Sequence, residues 1–253
     1  MYKFSVVIIT LNEENNIGKC VRSANKVSDD VIVIDSGSTD NTINVAKENG
    51  AKVYNVDWMG YSRTKNYGVE KAANEWILSM DADEFLSDKL IRSLKNTILE
   101  NGTIYLINRL SSFLGKWVRH SGWHPEWKKR LYNKNEFHWN DAKVHEELTG
   151  YIKPNTIKLD GILYHYSYIS EKDVKDKTEK YARLLALEMQ RKGKPPKTLK
   201  RLFGAKYKFI NTFIFKLGFL DGITGYRVSI MNSRVVDLKL KYYKFIKNKK
   251  NIQ

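Results

Sequence analysis

The chain has 253 residues, of which 42% are hydrophobic and 12% aromatic, and its formal net charge is +16. This length and composition fit one large domain or a domain with an extension, and they exclude a globally disordered chain. The single cysteine, Cys20, excludes an internal disulfide, and the sequence has no Cys/His spacing typical of zinc sites.

The positive charge is concentrated towards the C-terminus. Residues 1–170 carry 22 Lys and Arg against 21 Asp and Glu, whereas residues 171–253 carry 22 against 7. This asymmetry indicates that the C-terminal part meets an anionic partner, either lipid headgroups or nucleic acid.

The N-terminus enters an apolar run at residues 4–10 without the features of a signal peptide. No segment reaches the roughly 18 apolar residues of a membrane span. The nearest, at 209–220, is short and contains Lys216. We therefore expect a cytoplasmic protein that does not cross the bilayer.

Short β-branched runs alternate with helical patterns over the first hundred residues. Strands are expected at 4–10, 30–37, 51–56 and 75–80, with helices near 15–25, 40–49 and 62–73. This alternation predicts βαβ units and a parallel sheet. Asn12 and the run 38–40 are candidate helix N-caps, which places both loops at the ligand-binding edge of the sheet.

From about residue 103 until Tyr168 the pattern indicates short strands and loops, with Trp and Tyr enriched. Helical patterning returns at 170–193, with Ser170 as N-cap and Gly193 as stop, and again at about 197–220. The expected apolar stripe of the first of these helices consists of Val174, Tyr181, Leu184, Leu185 and Met189. We expect a catalytic domain at 1–168 and a helical basic extension at 169–253.

The segment WILSMDADE ends an apolar strand with Asp81 and Asp83. Two carboxylates at this spacing repel each other unless a cation lies between them. Oxygen ligands of this kind suit Mg²⁺ or Mn²⁺, which commonly use one or two carboxylates plus substrate phosphates. A lone aspartate at a strand end is more often a cap or turn residue.

Four motifs in order carry a family resemblance: VVIITLNEE, VIVIDSGSTDNT, GYSRTKNYG and WILSMDADE. Together they resemble the family 2 glycosyltransferases, inverting enzymes of the GT-A fold, over roughly the first 150 residues. The resemblance implies a nucleotide-binding α/β/α sandwich with a mostly parallel central sheet, followed here by C-terminal basic amphipathic helices.

The resemblance implies a nucleotide-sugar pocket. Its nucleoside end would be lined by Thr10, Asn12, Glu13 and Asp35, and Asp81 would lie at its diphosphate end. Arg63, Lys65 and Asn66 would contact the diphosphate or the base. A carboxylate acceptor at Asp35 suits the N–H edge of uracil or guanine, so a UDP-sugar is the expected donor. Asp81 and Asp83 would hold the divalent metal, and Glu84 would orient their loop.

An inverting transfer also needs a base that takes the proton of the attacking hydroxyl. In NDAKVHEELTGY the resemblance implies Glu146 as base and His145 as a third metal ligand or diphosphate contact. Glu147 and Glu126 remain alternative bases. Arg130 would contact phosphate, or else pair with Glu126 four residues earlier.

The segment 197–220 is basic and aromatic, which favours a membrane interface with anionic lipids. GFLDGITGYR resembles a C-terminal segment of the lipopolysaccharide-core β-glucosyltransferase subgroup. The resemblance implies transfer of glucose or another hexose to a lipid-linked or lipopolysaccharide-core glycan, by a peripheral protein on the inner face of the cytoplasmic membrane.

Three alternatives stay open at this point. The enzyme could be a polyprenyl-phosphate sugar synthase, whose phosphate acceptor needs little base assistance. The basic tail could bind nucleic acid, although no nucleic-acid-binding module is recognisable and we expect no such partner. A degenerate scaffold is disfavoured because both aspartates and a candidate base are present. The sequence does not give the oligomeric state.

Overall fold

The computed structural model describes residues 4–140, 146–193 and 198–250, with only the backbone described at 198–202 and 247–250. The chain divides into two compact units. Unit 1 comprises Met1–Arg109 and Glu126–His165, and unit 2 comprises Leu110–Pro125 and Tyr166–Gln253. The segment 110–125 thus joins the C-terminal helices, whereas the sequence placed it in the first domain.

The strands are β1 (Phe4–Thr10), β2 (Val31–Asp35), β3 (Lys52–Asn55), β4 (Trp76–Asp81), β5 (Glu84–Leu86), β6 (Thr103–Phe113), β7 (Lys116–Trp117), β8 (Glu126–Asn133), β9 (Phe137–Trp139), β10 (Leu148–Gly150) and β11 (Asn155–Tyr168). The helices are α1 (Ile17–Ala24), α2 (Thr42–Glu48), α3 (Tyr61–Glu70), α4 (Asp88–Asn96), α5 (Glu171–Arg191), α6 (Thr198–Ile210) and α7 (Gly222–Lys250).

The main sheet of unit 1 has a parallel and an antiparallel part. Its described strands follow the order β3-β2-β1-β4-β8-β6-β11-β5. The first four are mutually parallel, while β8 pairs antiparallel with both β4 and β6. The predicted βαβ units are confirmed, and they form the parallel part.

The central strands are apolar because both of their faces are covered. Every residue of β1 is buried, and alternate side chains enter two separate hydrophobic clusters. Thr10 pairs in register with Asp35, and Ile9 with Asp81. The carboxyl ends of β1, β2 and β4 therefore meet at one edge, as the parallel arrangement requires.

The two helices that follow the loops at this edge begin differently from the prediction. Helix α1 begins after Asn16 and α2 after Asn41, neither with a side-chain cap bond. The side chains of Asn12 and Ser38 bond between the two loops instead, so neither is an N-cap. Asp40 precedes the N-cap position of α2, but its Oδ1 accepts the N–H of Thr42, the first residue of that helix, at 3.1 Å. The predicted cap at Ser170 is confirmed, because its hydroxyl accepts the Asp173 N–H at 3.1 Å.

Unit 2 is built from α5, α6 and α7 with a small apolar cluster of Phe113, Val118, Val228 and Met231. Helix α5 packs against α7, and the fully buried positions of α5 are Thr178, Ala182 and Ala186. The predicted stripe was wrong at Tyr181 and Leu184, which are 53% and 40% exposed. Small residues occupy the contact because they let the two helix backbones approach closely.

The expected helix at 197–220 ends early. Helix α6 stops at Ile210 and gives way to a π turn at Asn211–Phe215 and a 3₁₀ turn at Gly218–Asp221. Leu217 lies between these turns with a left-handed φ of 54°, which ends the helical path. The sequence did not predict α4, and it placed α7 only within a helical extension without giving its bounds. It predicted short strands where β6 and β11 span 11 and 14 residues.

Within the described residues, none of the helices combines the length and apolar character needed to cross a bilayer.

Gly68 allows α3 to lie directly on the parallel sheet. A Cβ atom there would lie 2.5 Å from Val7 Cγ1 and 2.9 Å from Ile34 Cγ1. We expect Gly68→Ala to lower the free energy of unfolding by about 1–3 kcal/mol through overpacking, measured by urea denaturation. Glu70→Ala, at an exposed position of the same helix, is the control and should change it by about 0.5 kcal/mol or less. Equal stability of the two variants would contradict this packing.

Candidate active site

Two loops at the carboxyl edge of the sheet are bonded to each other. Asn12, with a left-handed φ of 54°, receives the Thr39 N–H on its side-chain oxygen at 2.8 Å and donates its own N–H to Ser38 Oγ at 2.8 Å. The Glu13 N–H likewise donates to Thr42 Oγ1 at 2.7 Å. Asn12 and Glu13 therefore hold the two loops together by hydrogen bonds, and their predicted contact with the nucleotide stays a prediction.

Asp35 organises the loop that follows β2. Its Oδ2 accepts the N–H groups of Gly37 at 2.9 Å and Ser38 at 2.8 Å, and its Oδ1 accepts the Ser38 hydroxyl at 2.5 Å. The side chain is fully buried. These contacts give Asp35 a loop-holding role, and its contact with a base stays a prediction.

Two buried hydroxyls beside Asp35 have no partner in the described protein. They belong to Thr10 and Ser36, which are adjacent because the Ser36 N–H donates to the Thr10 carbonyl at 3.0 Å. Leaving a buried hydroxyl unpaired costs free energy, and a bound ligand would remove that cost. Thr10 was predicted as a ligand contact, whereas Ser36 was missed although it lies inside the same motif.

The DADE turn is built on a buried carboxylate. Glu84 is 1% exposed, and its Oε2 accepts the Asp81 N–H at 3.0 Å. Its Oε1 lies 2.5 Å from Arg130 Nη2 and 3.3 Å from Arg109 Nη1. These are the contacts expected of a residue that orients the turn.

Asp81 lies between two cations. Arg130 Nη2 is 2.7 Å from its Oδ2, and Lys65 Nζ is 3.5 Å from its Oδ1. Burial alone would raise the pKa of Asp81, but Arg130 and then Lys65 outweigh it and hold that pKa well below its usual range. Arg130 is therefore paired with Asp81 and Glu84, and its predicted phosphate contact stays a prediction.

Lys65 joins the turn to the candidate base. Its ammonium lies 3.1 Å from Glu146 Oε1 and 4.5 Å from the centre of the Trp139 ring, and the residue is 2% exposed. The other oxygen of Glu146 is buried without a hydrogen-bond partner in the described protein. The structure thus brings Lys65, Asp81 and Glu146 together, with one carboxylate oxygen left to take a proton.

Asp83 contacts a histidine of β11. Its Oδ2 lies 3.2 Å from His165 Nε2, on β11. His165 was missed by the sequence analysis, although a histidine within the apolar strand ILYHYSY was a signal. The predicted ligand His145 lies outside the described residues.

The donor set is compatible with a divalent cation. The carboxylates of Asp81 and Asp83 follow one strand end and are 30% and 19% exposed. Among the described residues, no group of three or more His, Cys, Asp or Glu has the arrangement of a metal site. Mg²⁺ and Mn²⁺ commonly need only one or two carboxylates when phosphates complete the shell.

Glu126 is held as a structural anion. It accepts from Arg109 Nε at 2.8 Å and Nη2 at 3.1 Å, and Lys128 Nζ lies 2.8 Å away. Burial would raise its pKa, but these cations, first Arg109, lower it. Arg130 pairs with Asp81 and Glu84, so the alternative Arg130–Glu126 pair was wrong.

Asn66 anchors α3 to β9. Its side-chain N–H donates to the Trp139 carbonyl at 2.9 Å, and its oxygen accepts the Trp139 N–H at 3.1 Å. Both ends of the amide are used, so its predicted contact with the donor stays a prediction. Glu147, the other alternative base, is exposed.

An aromatic pair beside the site was also missed. Trp58 and Tyr61 are 51% and 53% exposed, with ring centres 4.8 Å apart at an interplanar angle of 86°. Partial burial, and then the charges of Glu146, Asp81 and Asp83, raise the pKa of Tyr61. Tyr61 lies one helical turn before Lys65, which could have indicated that it faces the same site.

The chain is similar to known proteins over most of its length. Residues 5–152 match the sequence profile of Glycosyl transferase family 2. An uncharacterized glycosyltransferase of Rickettsia typhi is 30% identical over 245 residues, covering 91% of this chain and 83% of its own length. The lipopolysaccharide core biosynthesis glycosyltransferase LpsC of Rhizobium meliloti is 24% identical, covering 87% of each.

Among solved structures, S. aureus TarS 1–349, in complex with UDP-GlcNAc, is similar with a TM-score of 0.52 and 16% identity. The alignment covers 98% of this chain and 92% of that chain. This likeness, with the sheet described above, confirms the expected α/β fold of the GT-A type.

The low pKa of Asp81 predicts a pH dependence of stability. A carboxyl group whose pKa is lower in the folded chain than in the unfolded chain stabilises the fold. This contribution is complete at pH values above the unfolded-state pKa, which is about 3.9 for Asp. The contribution is lost as the pH falls through the pKa of the group in the folded state. We expect Asp81→Asn to be less stable than the wild type by about 1–3 kcal/mol near neutral pH, with the gap narrowing below about pH 4.

Urea denaturation at several pH values measures this difference. The exposed Asp57 supplies the matched control, Asp57→Asn, whose stability should follow the wild-type curve. A constant gap between Asp81→Asn and wild type across the acid range would show that Asp81 is not held ionised by its neighbours.

Proposed function

The chain belongs to glycosyl transferase family 2 and is a glycosyltransferase, and we propose that it moves a hexose from a UDP-sugar, with inversion, to a lipid-linked or lipopolysaccharide-core glycan. The observation that carries this proposal is the placement of Glu146 beside the DADE turn. Lys65 contacts both Asp81 and Glu146, at 3.5 Å and 3.1 Å. A proton acceptor therefore lies next to the groups that would hold the donor diphosphate.

In the proposed reaction Glu146 Oε2 takes the proton of an acceptor hydroxyl. The hydroxyl oxygen forms a bond to the anomeric carbon of the donor sugar while the bond from that carbon to the diphosphate oxygen breaks. The electron pair leaves on the diphosphate, so the products are the inverted glycoside and the nucleoside diphosphate. Lys65 fixes the direction of the Glu146 carboxylate through Oε1, which keeps Oε2 for the acceptor.

A divalent cation, Mg²⁺ or Mn²⁺, would be held by Asp83 and Asp81, and it would neutralise charge on the departing diphosphate. Asp83 is the better ligand of the two because Asp81 already has Arg130 and Lys65 as partners. Glu84 holds the turn by accepting the Asp81 N–H. The assignment of His145 as a further ligand is part of the proposal.

The nucleoside would occupy the carboxyl ends of β1 and β2. The unpaired hydroxyls of Thr10 and Ser36 support this placement, because ribose or base groups can satisfy them. The carboxylate of Asp35 favours uridine because it can accept a hydrogen bond from the N–H group of uracil. In this arrangement Asn12 and Glu13 hold the wall of the nucleoside pocket.

The lipid-linked acceptor is proposed from unit 2 and from one relative. The name of LpsC assigns that relative to lipopolysaccharide core biosynthesis. Large apolar side chains around the turns between α6 and α7 are exposed, including Tyr207 at 64%, Phe215 at 71% and Ile223 at 72%. Lys206, Lys208 and Lys216 lie in the same segment. Such a surface suits peripheral binding to anionic lipids at the inner membrane face.

Removing the base tests the reaction class. We expect Glu146→Gln to lower sugar transfer to a hydroxyl acceptor by about 10²–10⁴-fold with donor affinity unchanged, measured with detergent-extracted acceptor. Glu147→Gln should keep wild-type transfer. A loss of transfer in Glu147→Gln alone would assign the base to Glu147. Little effect of Glu146→Gln, with Glu147→Gln also active, would favour a polyprenyl-phosphate sugar synthase.

Removing the proposed metal ligand tests the donor site. A hydrolysis screen of UDP- and GDP-sugars with Mn²⁺ or Mg²⁺ should show metal-dependent turnover of a UDP-sugar. Asp83→Asn should reduce that turnover by about 10²-fold or more, while Asp160→Asn, at a side chain 81% exposed, should not change it. Turnover that is equal with and without metal would contradict the proposed site.

A further inference from the structure

Unit 2 contains a groove of about 370 Å³ between α5, α7 and the end of β6. Its apolar wall includes Phe113, Val174 and Met231. All of its lining residues belong to unit 2, and none of them is a residue of the site around the DADE turn. Its volume lies within the range of small-molecule sites.

The rim of the groove is cationic. It carries Lys175 and Arg234, both exposed, and Arg227, which is half-buried. Among the described lining residues the only carboxylate is Glu171, and it forms an ion pair with Arg227. The groove therefore keeps an excess of two positive charges.

A buried hydroxyl in the groove has no partner. Thr178 lines the groove and is 3% exposed, and its Oγ1 makes no hydrogen bond within the described protein. Arg227 also lies over the Phe113 ring, 5.9 Å from its centre, which holds the guanidinium above the apolar wall. The groove thus combines an unsatisfied polar group and fixed positive charge with an apolar surface.

We propose that this groove binds one anionic lipid molecule, with its phosphate between Lys175, Arg227 and Arg234 and the start of its chain against Phe113 and Met231. Charge complementarity selects the anion, and the apolar wall selects a lipid over free phosphate. The Thr178 hydroxyl gives the polar headgroup a hydrogen-bond partner. This inference goes beyond the proposed function because it concerns a second site, in unit 2.

The probe is monomeric dihexanoyl phosphatidic acid, titrated into the full chain by isothermal calorimetry. We expect saturable binding that Lys175→Gln with Arg234→Gln weakens about thirtyfold, since two cations at the headgroup are lost. The matched control, Lys180→Gln with Arg183→Gln, removes one Lys and one Arg from exposed positions of α5 outside the groove. It should change the affinity by about twofold or less.

Thr178→Val preserves side-chain shape and removes the unpaired hydroxyl. We expect weaker binding of the lipid with a thermal midpoint at or above that of the wild type, because no satisfied hydrogen bond is lost in the free protein. A drop in the thermal midpoint with unchanged lipid affinity would assign the hydroxyl to the fold and overturn its part in the site.

Three results would overturn the proposal: no binding of the lipid, equal losses in the groove and control double variants, or inorganic phosphate binding as tightly as the lipid. The last would identify a free-phosphate site. Metal-dependent donor hydrolysis should stay at the wild-type level in all these variants. Failure of the lipid site can therefore be distinguished from failure of the proposed transferase reaction.

Discussion

Glu84 is a carboxylate buried directly behind the residues that would hold the donor, and it needs positive partners from elsewhere in the sheet. Arg109 on β6 and Arg130 on β8 provide them. An ion of this kind left without a partner costs several kcal/mol. The DADE turn, which follows the parallel strand β4, is thus fixed to the antiparallel part of the sheet by charge.

The pairing extends in both directions from Glu84. Positive and negative groups alternate through unit 1 in the order Glu126, Arg109, Glu84, Arg130, Asp81, Lys65, Glu146. Each of the three cations in this series, Arg109, Arg130 and Lys65, lies between two carboxylates that balance its charge. The series ends at Glu146, where one carboxylate oxygen has no hydrogen-bond partner among the residues that the structure describes. The candidate base is therefore the terminal member of a structural network.

Local signals made the parallel part of the fold predictable. Apolar runs at 4–10 and 75–80 have no polar alternation because both faces of β1 and β4 are covered. The spacing of two carboxylates after an apolar strand indicated Asp81, whereas the resemblance supplied Lys65 and Glu146. Their mutual contacts could not be read from sequence, since Lys65 and Glu146 are 81 positions apart.

The loop contacts and the helical part were harder to predict. Asn12 was interpreted as a cap because it precedes a helix, but its left-handed backbone turns its side chain to the neighbouring loop. In α5 the buried face consists of Thr178 and two alanines, which a search for large apolar residues overlooks. The glycines around residue 222 concealed the start of α7.

The alternating charges also bear on how this enzyme could change during evolution or engineering. A single replacement at a fully buried member such as Glu84 leaves a neighbouring charge unbalanced, which lowers the stability of the fold. Compensating pairs of substitutions would be required there. Trp58 and Tyr61 lie beside the site and, unlike Arg109 or Glu84, are half exposed. Neither of these two side chains is a member of the charge series, so replacing them leaves the buried ion pairs in place.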